Sequence, residues 1–206
     1  MSSLPSPVDL NQCTCSGIAL AATLVGDAVN WASQLTAPAS LVAGGLLTTI
    51  GFGFEERLSE QDSSREVFQK QVIRVLIVSA FALEVMSIFA ACLIITSLLH
   101  VGPAAAEGFK GSAIEFLRAE FEVEYLATGV GFLQGLLQWL AAAALHLSLH
   151  EKDYVTRKTN QFLSCTVAGL VLTMIGMLNE RVAFYGSYVG MLARCGQLLW
   201  ENLFMR

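Results

Sequence analysis

Residues 72–99 read VIRVLIVSAFALEVMSIFAACLIITSLL. After Arg74 this stretch carries one charge, Glu84, set about a dozen mostly apolar residues from either end. A helix needs only about 20 apolar residues to cross roughly 30 Å of hydrocarbon. A spanning helix also satisfies its own backbone hydrogen bonds, which lipid cannot do. The stretch therefore sets the fold class as an all-α integral membrane protein. Gly102 and Pro103 are its stop signal. Upstream, Ser63 and Glu66 match a capping box, and Glu66, Lys70 and Arg74 follow at four-residue steps. That pattern predicts a helix starting near Ser64 and entering the span without a break.

Three more segments repeat the pattern, at 38–54, 126–149 and 161–178. With 72–99 they predict a four-helix transmembrane bundle arranged as two hairpins. Residues 16–34 are apolar but contain Asp27, Asn30 and Gln34, a polarity costly at mid-bilayer. They read as an N-terminal interfacial or re-entrant helix, separated from the first span by Pro38 and preceded by a loose arm over 1–15. Between spans two and three, Ser112 and Glu115 form a second capping box. Phe116, Leu117, Phe121 and Val123 then interleave with Arg118, Glu120, Glu122 and Glu124, as in an acidic surface helix.

The tail from Val182 to Phe204 has a helical period, with Phe184, Tyr188, Met191, Cys195 and Leu199 on one face. Ser187, Gly190, Arg194, Gln197 and Glu201 occupy the other. It reads as a C-terminal amphipathic helix on the bilayer surface or on a partner, with Trp200 suited to the interface. A fifth span is the rival reading. With no internal repeat, 1–206 is one polytopic domain.

Of the 206 residues, 54% are hydrophobic and 14% charged, against roughly 25% charged in soluble domains. The net charge of −5 gives no phosphate-binding surface, so nucleic acid is excluded as a partner. The first base is Arg57, and no Asn-x-Ser/Thr sequon occurs. Neither a secretory signal nor an arginine-rich transit peptide is expected from that start, and an organellar or endomembrane location is favoured over secretion. The connections at 55–74, 100–125 and 150–160 and the tail carry four, two, three and three bases, which leaves the orientation open.

Glu84 is the sharpest candidate for chemistry. A carboxylate at that depth costs several kcal/mol unless it faces protein or water. Ala80, Ser87 and Ala91, its neighbours along the helix, are small enough for another helix to come close. On span three, Gly131, Gln134, Gln138, Ala142, His146 and His150 form a continuous stripe. Glu84, Gln134, Gln138 and His146 thus define a candidate intramembrane polar network. It reads either as interhelical hydrogen bonding that fixes register or as a proton-linked path. Gly44 and Gly51, Gly131 and Gly135, and Gly169 and Gly176 are candidate helix-packing positions.

Cys13 and Cys15 form an isolated C-x-C pair, read as ordinary thiols. No metal-ligand set, phosphate loop or nucleophile motif is present. The sequence therefore leads to a non-catalytic protein with no cofactor or metal, embedded in the bilayer and packed against other membrane helices as a homo-oligomer or in a larger complex. A homo-oligomeric channel or proton-coupled carrier using Glu84 is the alternative.

Overall fold

A computed structural model describes the backbone of residues 8–53, 64–147, 154–181 and 183–204, with side chains for 17–49, 64–147, 158–177, 184–201 and 204. Ser63 and His150, the side chains of Cys13 and Cys15, and the surroundings of Gly51 lie outside that set. The described residues are helical, with no strand among them. The six helices are α1 (Val8–Gly53), α2 (Ser64–Val101), α3 (Ala113–Glu120), α4 (Glu122–Leu147), α5 (Tyr154–Arg181) and α6 (Tyr188–Phe204). Three of them are long and apolar enough to cross a membrane, namely α2, α4 and α5.

Helix α2 follows the sequence reading from start to stop. It begins at Ser64 and ends at Val101, where Gly102 turns the chain with φ +65°, a conformation that favours glycine. A 3-10 turn over Gly102–Ala106 leads toward α3. The second capping box forms in full: the Ser112 hydroxyl accepts from the Glu115 N–H, and the Glu115 carboxylate accepts from the Ser112 N–H. Phe116 and Leu117 turn inward from α3 and close one end of the core beside Leu24, Ala28, Ile94 and Leu98.

Helix α1 departs from expectation. Residues 16–34 and 38–54 are not separate elements, because α1 passes through Pro38 unbroken, and it begins at Val8, inside the expected loose arm. Proline removes the donor that would bond the Gln34 carbonyl. The hydroxyls of Ser33, Thr36 and Ser40 donate to other carbonyls, those of Val29, Ser33 and Thr36. Packing on both sides of the proline holds the axis, since Ala28, Ala32, Ala39 and Leu46 are wholly buried. Leu24 and Ala28 share a core with Ile94 and Leu98, and Leu46 shares one with Ile73 and Ile77. Helix α1 therefore runs antiparallel to α2, and the part facing α2's apolar stretch begins well before Pro38.

The tail is also corrected. Its helix starts at Tyr188, not at 182, after a 3-10 turn over Ala183–Tyr185 and a left-handed Gly186 at φ +75°. Ser187 caps the helix by accepting from the Gly190 N–H. The break takes Phe184 off the expected face and leaves it 71% exposed. Tyr188, Met191, Cys195 and Leu198 are the buried positions, and they share a core with Leu126, Val130 and Leu137 of α4. Thus the apolar face of α6 meets protein of its own chain.

Arg194 fastens α6 to the first residue of α4 through a two-pronged pair. Its Nε and Nη2 donate to the two Glu122 carboxylate oxygens at 3.1 and 3.0 Å. That hydrogen bond and charge raise the guanidinium pKa above its ordinary value. Both side chains remain about a third exposed, at 39% and 31%, so salt screens the pair. High ionic strength should therefore speed amide exchange in α6 and leave α4 unchanged, while Arg194→Gln makes α6 fast at every salt concentration. An α6 indifferent to both treatments would show that its apolar face holds it alone.

Candidate functional site

The site is the seam where α2 and α4 pack antiparallel. Glu84 is fully buried on α2, with Ala80, Ser87 and Ala91 buried on the same face. Opposite them α4 presents Gly131 and Gly135. A methyl group placed at Gly131 would lie 2.8 Å from the Leu83 carbonyl oxygen and 3.1 Å from Ser87 Cβ. One at Gly135 would lie 2.7 Å from Glu84 Oε1. The two glycines are thus what lets the α4 backbone reach α2, and Gly135 makes the space that the Glu84 carboxyl fills.

Hydrogen bonds bracket this contact. The Ser79 hydroxyl donates to Gln138 Oε1 at 2.7 Å, and the Ser87 hydroxyl donates to the Thr128 carbonyl at 2.8 Å. Farther along, Gln69 Nε2 donates to the Leu145 carbonyl at 2.9 Å. Pairs 69–145, 79–138, 84–135 and 87–128 form one antiparallel register, fixed at several points along the helices. Between these bonds, both Glu84 oxygens lack a hydrogen-bond partner among the described residues, as does the buried Thr128 hydroxyl.

The expected network is therefore divided. Gln138 bonds Ser79, and Gln134 accepts at 2.7 Å from the Tyr188 hydroxyl of α6. Neither amide bonds Glu84. His146 is exposed and lines an apolar cleft of about 310 Å³ with Thr49, Ile73, Ile77, Trp139, Ala142, Ala143 and Leu147. The reason is register: the stripe on α4 is continuous, but α2 can meet it only where side chains are small. At Gly135 the carboxyl meets backbone, not an amide.

The glycine faces divide as well. Gly131 and Gly135 pack within the chain. Gly44, Gly169 and Gly176 do not, since each has open space where a side chain would stand. No described side chain in the Lys158–Met177 stretch of α5 is buried. This helix touches α4 through one edge, where the Ser164 hydroxyl donates to the Ala144 carbonyl, and turns Cys165, Gly169, Thr173 and Gly176 away.

A second cluster escaped the sequence reading. The Arg118 guanidinium lies over the rings of Phe184, Tyr125 and Tyr185, at 4.7, 5.5 and 5.7 Å from their centroids. Tyr125 stacks on Trp31 of α1 at 4.9 Å. The available signal was Arg118 standing as the one base among Phe116, Phe121 and Tyr125.

Among the described residues no group of His, Cys, Asp or Glu could hold a metal ion. Comparison with protein-family models, curated proteins and solved structures finds no match to this chain.

Proposed function

We propose that this chain is a non-catalytic structural or accessory subunit of a membrane complex. In this reading it crosses the bilayer four times, the fourth crossing being the part of α1 that runs beside α2. The observation that carries it is the outward face of α5. Lipid-facing positions are ordinarily filled by large apolar side chains, whereas small residues mark places where another helix comes close. Gly169, Thr173 and Gly176 are such residues, on a helix with no fully buried described side chain, whose Val171, Met174 and Ile175 are only partly buried against the α4–α6 core. The outward side of α1 agrees. Asn30 and Gln34 point away from the bundle, and among the described residues their side chains bond each other, Gln34 Nε2 donating to Asn30 Oδ1 at 3.4 Å. Polar groups at that depth call for protein beside them.

Bulk on the α5 face tests the proposal. Gly169→Leu combined with Gly176→Leu meets open space, so the chain should fold as before. The native-gel mass in mild detergent should drop from that of a complex to that of the lone chain in its micelle. Wild-type protein that already migrates alone, or a complex indifferent to both leucines, would overturn the reading.

One observation favours a second reading, a homo-oligomeric channel or proton-coupled carrier. Glu84 has two unpartnered oxygens, and the cleft beside His146 opens toward the same helix pair. Against it, Ser79 and Gln138 occupy each other between that cleft and Glu84.

A further inference from the structure

An open cleft of about 210 Å³ lies between α1 and α4, with Met191 of α6 on its rim. Its walls are Trp31 and Leu35 of α1 and Tyr125, Gly129, Val130 and Leu133 of α4, so its lining is almost wholly apolar. Helices α1 and α4 both run antiparallel to α2 and hence parallel to each other. Trp31 and Tyr125 stack at one end, and from there to Leu133 the cleft follows α4 for about 12 Å at 1.5 Å per residue. A slot of that form fits a flexible hydrocarbon chain better than a compact ligand.

The aromatic end of the cleft carries a charge. Arg118 lies against Tyr125, and no carboxylate pairs with it among the described residues. Its Nε is buried without a hydrogen-bond partner, and Nη2 makes only a long contact, 3.5 Å, to the Tyr125 hydroxyl. The Tyr185 hydroxyl beside it is also buried and unpartnered. The nearby Glu122 is bonded to Arg194. A cation held among aromatic rings where an apolar slot begins has the charge and shape to take a phosphate whose chain enters the slot. We propose that this cleft binds one acyl chain of an anionic phospholipid and that Arg118 holds its phosphate.

The inference does not depend on what covers α5, and lipid binding by the full chain tests it separately. Titration with phosphatidylglycerol and with diacylglycerol, which has the chains but no phosphate, read by native mass spectrometry, should give about tenfold tighter binding of the anionic lipid, as expected for one charge-assisted hydrogen-bonded contact. Arg118→Gln should abolish the difference, and Arg118→Lys should retain most of it. Gly129→Leu puts a side chain into the slot, where nothing lies within 4 Å of the added Cβ, and should remove both lipids. Glycerol 3-phosphate, which has the phosphate but no chain, should not bind. Equal binding of the two lipids by wild type would mean that Glu120 and Glu124 cancel the cation, and would overturn the proposal. So would tight binding of glycerol 3-phosphate, or lipid binding unchanged by both Gly129→Leu and Arg118→Gln.

Discussion

Gly131→Ala is expected to destabilise the protein by about 1–2 kcal/mol, while Gly129→Ala, half a turn away on the same helix, stabilises it by up to about 1 kcal/mol. The two substitutions are chemically identical and both improve helix propensity. They differ in what the new methyl meets. At Gly129 it finds nothing within 4 Å, whereas at Gly131 it lies 2.8 Å from the Leu83 carbonyl oxygen. That oxygen belongs to the α2 backbone and cannot swing aside like a side-chain tip. Relief requires α2 and α4 to move apart, which lengthens the Ser87–Thr128 and Ser79–Gln138 hydrogen bonds together. Helical circular dichroism followed through detergent denaturation measures both changes. Two alanines with effects of the same sign would mean that Gly131 is not where the helices touch.

The second large effect concerns Glu84. A buried polar group without a partner costs about 1–3 kcal/mol, and exchanging it for an apolar side chain of similar volume removes that cost. Glu84→Met is therefore expected to stabilise the seam by about 1–3 kcal/mol. Glu84→Ala should do the reverse, because it leaves a cavity against α4. The pair with Gly135 is coupled. Gly135→Ala alone pushes its methyl into Glu84 Oε1, whereas with Glu84→Ala the same methyl fills vacated space. A double-mutant cycle should show the combined change costing less than the sum of the two. Strict additivity would mean that the two residues are not in contact.

How far the sequence could be read depended on whether the deciding signal was local. The capping box at Ser112, the stop at Gly102 and the unbroken run of α2 from Ser64 are encoded within a few residues, and all were legible. Burial of Ala80, Glu84, Ser87 and Ala91 followed from helical periodicity alone. Pro38 misled because its local cost is offset by packing against α2, which is tertiary. The tail's start was misplaced for a different reason. A perfect four-three-four period continued backward through Gly186, whose left-handed turn periodicity does not register. The partners of Gln134 and Gln138 were illegible because they depend on where α6 docks and on the α2–α4 register. Arg118 was passed over as one charge among acids, since the rings that surround it come from 66 and 67 residues farther along as well as from its own neighbourhood.

Whether Glu84 packs or conducts separates the two readings of this protein, and proton flux into liposomes decides between them. Wild-type protein and Glu84→Gln, reconstituted at equal density under a pH gradient, should both dissipate the gradient no faster than protein-free liposomes. A flux carried by wild type and abolished by Glu84→Gln, with the variant still folded in its α2–α4 seam, would contradict the structural role and make Glu84 the working residue of a proton path.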